Sequence, residues 1–189
     1  NVVNDHGQCG AQVWYAVPRF NDNCGGQYQT GTLIQGEDSG DFFPVGTTVV
    51  EWWYFDAAGN GSAVCNFTVT VRDEERPEID CPGNITVETD GSLSGGNGGW
   101  PESDPYIHSR GPCGISLGYT APIGTDNCPG VVTSLQSGFG AGPNYYEYGG
   151  IYTESWKVTD NAGNTQDCYF TVLVRDVVDP TITCPANTT

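Results

Sequence analysis

The sequence has no methionine, two histidines, and only 6 Lys and Arg against 23 Asp and Glu, a formal charge of −17. A surface of that sign repels nucleic acid and anionic membranes, and it suits calcium or basic partners instead. No stretch of about 18 apolar residues is present, so no membrane insertion is expected. Nor is there an amphipathic run of about ten residues, and Gly 27 with Pro 12 make about a fifth of the 189 residues, which disfavours long helices. Aromatic residues are nonetheless 12 %, too many for a disordered acidic chain. A turn-rich, folded β protein fits these limits. None of the 8 cysteines lies in a Cys-x-x-Cys pair, which removes zinc ribbons and thioredoxin-type motifs. An even number without metal spacing reads as disulfides, hence an extracellular location, at the cell surface or in a secreted filament. With no methionine and no signal segment, the expectation is a processed chain or a section of a longer one.

What is present is a repeat. A shift of 103 or 104 residues carries Cys9, Cys24, Cys65 and Cys81 onto Cys113, Cys128, Cys168 and Cys184. The surroundings follow. Cys9-Gly10, Tyr15, Pro18 and Asp22-Asn23-Cys24 align without a gap on Cys113-Gly114, Tyr119, Pro122 and Asp126-Asn127-Cys128. Trp52 with Asp56-Ala57-Ala58-Gly59-Asn60 aligns on Trp156 with Asp160-Asn161-Ala162-Gly163-Asn164. Cys65 to Asp73 aligns on Cys168 to Asp176, and each copy then runs to a Cys-Pro pair, Cys81-Pro82 and Cys184-Pro185. Self-similarity of this extent sets the organisation.

Phe67 to Val71 and Phe170 to Val174 alternate apolar and polar residues with period two, the pattern of half-buried strands. Val49 to Phe55 is β-branched and aromatic, which reads as a strand buried on both faces or covered by a partner. Short strands separated by turn signals such as Gly25-Gly26, Pro44-Val45-Gly46 and Ala58-Gly59-Asn60, in units of about 100 residues, indicate all-β, tandem immunoglobulin-like β-sandwiches. The series Cys-Pro-x-Asn-Ile-Thr, Cys-Gly, Tyr-x-x-Pro-x-x-x-Asp-Asn-Cys, Phe-Pro-Val-Gly-Thr-Thr, Asp-x-Ala-Gly-Asn and Cys-x-Phe-Thr-Val-Thr-Val-x-Asp resembles the hyalin repeat (HYR) domain, twice over. The second copy departs at Glu147 to Tyr152 and carries a Gly-rich insertion, Ser92 to Arg110. The expected division is 1–76 for a unit without its first strand, 77–179 for a complete unit, and 180–189 for the opening strand of a next unit. Read end to start, Cys184 to Thr189 followed by Asn1 to Cys9 resembles one complete HYR beginning. The resemblance implies an extracellular structural or adhesive repeat and no catalysis: a rod or filament of units joined head to tail, with self, glycans or matrix proteins as partners. The other reading is a glycan- or protein-binding module appended to a larger secreted enzyme.

Several residues carry more specific readings. Gly114 to Gly118 matches Gly-x-Ser-x-Gly, but no helix follows and the only histidines, His6 and His108, lie in loops, so the chain is read as no enzyme. Asp-Asn-Cys and Asp-x-Ala-Gly-Asn suit turns, since Asp and Asn accept backbone N–H groups and Gly takes positive φ. They also suit calcium, which takes clustered carboxylate and carbonyl oxygens. In an immunoglobulin-like sandwich Asp73, Asp126, Asp160 and Asn164 fall at one end, and Asp22, Asp56, Asn60, Asp176 and Asp179 are their repeats or neighbours. Asn60, Asn66, Asn84 and Asn187 are glycosylation sequons. Trp100, in the insertion and unmatched in the first copy, is the expected surface contact.

For the disulfides, an extended run of about 16 residues between Cys65 and Cys81 spans about 50 Å, which excludes that bond. A first strand lying parallel to the last puts Cys81 beside Cys168. Cys9–Cys24 and Cys113–Cys128 then close hairpin-like loops. Cys65 and Cys184 are left for neighbouring units, with the terminal strand donated by β-augmentation.

Overall fold

The computed structural model describes residues 1–24, 29–89 and 114–185. It forms two compact units. The first is Asn1–Pro77 with Thr125–Val131 and Thr159–Thr165; the second is Glu78–Gly124, Val132–Val158 and Gln166–Thr189. Every regular element among the described residues is a strand. In chain order these are β1 (Val2–Val3), β2 (Gly10–Gln12), β3 (Arg19–Phe20), β4 (Gln29–Thr30), β5 (Thr32–Gln35), β6 (Phe42–Pro44), β7 (Gly46–Trp53) and β8 (Cys65–Arg72). There follow β9 (Glu78–Ile79), β10 (Ile85–Thr89), β11 (Gly114–Leu117), β12 (Gly124–Thr125), β13 (Val132–Ser137), β14 (Asn144–Glu147), β15 (Ile151–Thr159) and β16 (Thr165–Asp176).

In the first unit a four-stranded sheet, β1-β8-β7-β5, faces the β2–β6 ribbon. Period-two alternation decides what lies between them. Val69 and Val71 of β8 and Val50 and Trp52 of β7 point inward and are buried, as are Ala11, Val13 and Phe43 from the ribbon side. Tyr15 meets Phe67 edge-on at 5.0 Å. β7 is buried on one face only: Val50 is 0 % exposed and its neighbour Val49 38 %. Burial on both faces is thus corrected to a one-sided strand, because a single layer covers it.

The second unit repeats the plan with β10-β16-β15-β13 and the β11–β14 ribbon. Trp156, Phe170, Val172 and Val174 fill its core, with Tyr119 edge-on to Phe170 at 5.0 Å. One difference between the cores stands out. Where the first unit has Phe43 and Val50, the second has Tyr146 and Glu154, all four 0 % exposed. The Glu154 carboxylate accepts bonds from Tyr119 Oη (2.8 Å), Tyr146 Oη (3.1 Å), Phe139 N (3.0 Å) and Gly140 N (2.9 Å). Burial pushes its pKa up, but those four donors outweigh burial, and the net shift is downward. Tyr119, half-buried and held to the carboxylate, is pushed up to about 12.

In both units the last strand has a parallel neighbour. β10 pairs with β16 over five residues, Ile85–Thr89 against Val172–Asp176. β1 pairs with β8 over only two, Val2–Val3 against Val71–Arg72. Cys81 is bonded to Cys168, with Cα atoms 5.5 Å apart. Cys9 is bonded to Cys128, with Cα atoms 4.8 Å apart, which corrects both Cys9–Cys24 and Cys113–Cys128. The reason is pairing: β2, which leaves Cys9, pairs with β6, and β3 pairs with β4, so no hairpin returns Cys24 to Cys9. Cys113 lies outside the described residues. Cys24, Cys65 and Cys184 are exposed thiols. No strand is assigned within residues 180–185, and 186–189 lie outside the description.

Candidate metal centre

Strand parity builds the site. Phe67, Val69 and Val71 form the inward row of β8, and Asp73, next in that row, is carried inward at 7 % exposure. Trp156 and Val158 do the same for Asp160, at 6 % exposure. Two turns then fix the carboxylates. Asp160 Oδ1 accepts Asn164 N (2.8 Å) and Oδ2 accepts Asn164 Nδ2 (2.8 Å), around Gly163 at φ +92°. Asp126 Oδ2 accepts Cys128 N at 3.0 Å in an Asx turn. Asn164 Nδ2 also reaches the carbonyl oxygen of Asp73 at 3.3 Å, and Asn127 Nδ2 reaches that of Gln8 at 2.9 Å. The stretch after Asp73 is anchored too, since Glu75 Oε2 accepts Gly7 N at 2.8 Å and Asn4 Oδ1 accepts Glu74 N at 3.0 Å. Asp73, Asp126, Asn127, Asp160 and Asn164 all belong to the first unit.

The result is a concentration of unneutralised oxygen. Side-chain atoms of Asp73, Asp126 and Cys128 lie within 4.8 Å of one another. Cys128 is bonded to Cys9, so its sulfur is no thiolate ligand. Among the described residues the ion pairs are His6–Glu75, Arg72–Glu74 and Lys157–Asp167, and none reaches Asp73, Asp126 or Asp160. Burial raises the Asp126 pKa, and the charges of Asp73 and Asp160 raise it further against the pull of the Cys128 N–H. Two buried acceptors have no donor: Asp126 Oδ1 and Asn127 Oδ1. Oxygen atoms left in this state fit a hard cation, which takes carboxylate and amide oxygens together.

Asn127 was not singled out in the sequence, although it stands in the middle of the repeated Asp-Asn-Cys. Of the other candidates, Asp22, Asp56 and Asn60 lie elsewhere in the first unit, and Asp176 and Asp179 are exposed in the second. None of these four aspartates joins a metal-capable group of three His, Cys, Asp or Glu among the described residues. Asp176 Oδ1 instead accepts Thr89 Oγ1 (2.9 Å) and Val178 N (3.1 Å). Of the sequons, Asn66 and Asn84 are exposed, and Asn60 is exposed with its Nδ2 donated to Asp56 at 2.7 Å. Asn187, Trp100 and the 92–110 insertion lie outside the described residues. Gly114 to Leu117, within the Gly-x-Ser-x-Gly match, is strand β11, paired with β14.

The HYR domain family model matches residues 3–71. Residues 3–71 are a HYR domain. The site carboxylate Asp73 lies two residues past the matched segment. Hyalin from Strongylocentrotus purpuratus is 30 % identical over 185 residues, 94 % of this chain and 13 % of that protein. Hyalin from Lytechinus variegatus is 28 % identical over 188 residues, 96 % of this chain and 30 % of that protein. The chain therefore spans less than a third of the length of either relative. Among solved structures, Drosophila N-cadherin EC1-3 is similar at 12 % identity and a TM-score of 0.31, over 78 % of this chain and 52 % of that one. Among the described residues no helix is long and apolar enough to cross a membrane.

Proposed function

We propose that this chain is an extracellular, adhesion-type module of consecutive HYR-type units, and that calcium bound by Asp73, Asp126, Asn127 and Asp160 rigidifies it. The observation that carries the calcium reading is the pair of buried, donor-free oxygens, Asp126 Oδ1 and Asn127 Oδ1, beside carboxylates that have no cationic partner among the described residues. A divalent ion there neutralises the repulsion and ties turn 126–128 to the strand end at Asp73. Its role is structural, and no bond-making step is assigned to it.

The same reading extends to assembly into a rod or filament. β8 has parallel cover at Val71 and Arg72 only, whereas β16 is covered over five residues. Cys65, which opens β8, is an exposed thiol, while its repeat Cys168 is bonded to Cys81. A segment with the Cys184-Pro185 sequence, supplied by another unit and taken up as a strand, completes β8 by β-augmentation and sets Cys184 against Cys65.

Melting followed with and without calcium tests the metal. A ligand bound only by the folded state at 100 times its Kd adds about 2.7 kcal/mol, on the order of 10 °C for a unit of this size. Asp126→Asn is expected to abolish most of that shift. Identical melting in EDTA and in calcium refutes the site.

The pH dependence has a definite sign. Because the folded pKa of Asp126 is raised above its ordinary 3.8, the metal-free fold loses stability as pH rises from that value through the raised one. Calcium needs the ionised form, so the calcium-induced shift grows over the same window. The difference between wild type and Asp126→Asn, taken across pH with and without calcium, isolates both trends. A calcium shift that stays constant through this window counts against Asp126 as a ligand.

A further inference from the structure

We propose that the Cys9–Cys128 disulfide is the closing element of the calcium site. The site holds calcium tightly only while that bond is oxidised, and calcium bound there protects the bond from thiol reductants. The inference rests on the calcium reading above and adds to it a control by redox state.

The candidate ligands come from distant parts of the chain. Asp73 follows β8, and Asp126 and Asn127 lie in the turn between β12 and β13. A short bracket, Asn4 to Cys9, joins them. At one end it is fastened to the chain around Asp73: Asn4 N donates to Arg72 O at 2.9 Å, Glu74 N to Asn4 Oδ1 at 3.0 Å, and Gly7 N to Glu75 Oε2 at 2.8 Å. Gln8 N to Asp5 O at 2.9 Å and Asn4 Nδ2 to Gln8 O at 3.3 Å hold the bracket to itself. At the other end it grips the metal turn twice. Asn127 Nδ2 donates to Gln8 O at 2.9 Å, and Cys9 is bonded to Cys128 with Cα atoms 4.8 Å apart. All these residues belong to the first unit.

The disulfide is therefore both a wall of the site and its clamp. The Cys128 sulfur lies within 4.8 Å of carboxylate oxygens of Asp73 and Asp126, and the Cys128 N–H donates to Asp126 Oδ2 at 3.0 Å. Those carboxylates have no cationic partner among the described residues, so without a metal ion they push the 126–128 turn away from Asp73. Calcium opposes that repulsion by attraction, and the disulfide opposes it by covalent constraint. With the bond open, the donor-free oxygens Asp126 Oδ1 and Asn127 Oδ1 lose their fixed positions, and calcium must order them on binding. Linkage makes the effect reciprocal: whatever factor oxidation adds to calcium affinity, calcium adds to the oxidised form.

Reduction by glutathione has a defined course. Cys9 is half-buried and Cys128 is 7 % exposed, so attack falls on Cys9. A glutathione thiolate bonds to Cys9 Sγ, the bond to Cys128 breaks, and Cys128 leaves as a thiolate that takes a proton. A second glutathione thiolate attacks the glutathione sulfur of the mixed disulfide and releases Cys9 in the same way. The protein gains two electrons and two protons, and two glutathiones become one disulfide.

The test uses the full chain carrying Cys24→Ser, Cys65→Ser and Cys184→Ser, which removes the exposed thiols that would exchange. It is equilibrated in graded glutathione buffers with calcium or with EDTA, quenched, alkylated, and read by mass spectrometry of the Cys9 and Cys128 peptides. Calcium is expected to shift the half-reduction point about tenfold toward the oxidised form, which is about 30 mV for a two-electron couple. The Cys81–Cys168 bond, in the second unit, is expected not to respond to calcium. Asp126→Asn keeps the disulfide and is expected to lose the calcium effect on it. In calorimetric titration, Cys9→Ser with Cys128→Ser is expected to bind calcium about tenfold more weakly than the oxidised chain. The redox titration leaves both site cysteines in place, so it stands whether or not that double variant keeps its fold. Calcium that binds the oxidised chain yet leaves the Cys9–Cys128 half-reduction point unmoved overturns the coupling and leaves the calcium site standing. Calcium that binds neither the oxidised nor the reduced chain overturns both.

Discussion

Glu154→Val is expected to lower the stability of the second unit by about 3–5 kcal/mol, the cost of taking one partner from a buried charged network. The substitution looks conservative when set beside the first unit, which has Val50 in the equivalent place. It is not, because the surroundings differ. In the first unit the neighbouring ring is Phe43, without a donor. In the second, removing the carboxylate leaves two tyrosine hydroxyls and the N–H groups of Phe139 and Gly140 without their acceptor. Glu154→Gln keeps the shape but turns an amide N–H₂ toward some of those donors, and about 1–3 kcal/mol is expected. Adding Tyr146→Phe to Glu154→Val removes one stranded donor and should recover part of the loss. Urea unfolding followed by the fluorescence of Trp156 reads the midpoint directly; a midpoint within about 0.5 kcal/mol of wild type would show that the network contributes nothing net. Acid has the same target. The pKa of Glu154 is lowered on folding from 4.5, so its contribution is complete above that value and is lost as pH falls through the lower, folded one.

Cys81→Ser is expected to cost the second unit about 4–5 kcal/mol. The bond to Cys168 spans a sequence separation of 87, and in the chain-entropy model a loop of that length restricts the unfolded state by about 4.6 kcal/mol. Cys81 is the better residue to change. It is exposed, whereas Cys168 is 2 % exposed in the core, and a hydroxyl there would add a desolvation penalty unrelated to the cross-link. A buried thiol left at Cys168 behaves as a small apolar group. Guanidinium unfolding of wild type and variant, both without reductant, measures the difference. A loss below about 1 kcal/mol would mean that the β10–β16 pairing alone holds the strand.

Much of this architecture is legible in the sequence because it depends on local parity. The period-two runs at Phe67 to Val71 and Phe170 to Val174 announce their strands, and the same parity, extended one step past the strand end, carries Asp73 inward. Glu154 stands in the inward row with Trp156 and Val158, so its burial is implied, but the pattern does not reveal its four donors. Two of them come from a glycine-rich turn, one from a ring on β14 and one from Tyr119, just past the end of β11. Cys9–Cys128 is illegible for a different reason. Spacing favours a near partner, whereas this bond joins residues 119 apart, and its formation depends on where the 126–128 turn lands. Asn127 shares that dependence: beside Asp126 in sequence it reads as a turn residue, and only the absence of a donor near its buried oxygen marks it out.

The parallel first and last strands of the second unit have a mechanical consequence. Tension applied to the backbone before Cys81 and after Asp176 enters at Cys81, crosses the disulfide to Cys168 and leaves along β16. The chain enclosed by that bond lies off the line of force. At about 3.5 Å per residue, a separation of 87 residues amounts to about 300 Å of slack that cannot be drawn out while the bond is oxidised. Such a unit behaves under tension as a short, inextensible link, and a reductant would turn it into an extensible one without changing a single residue.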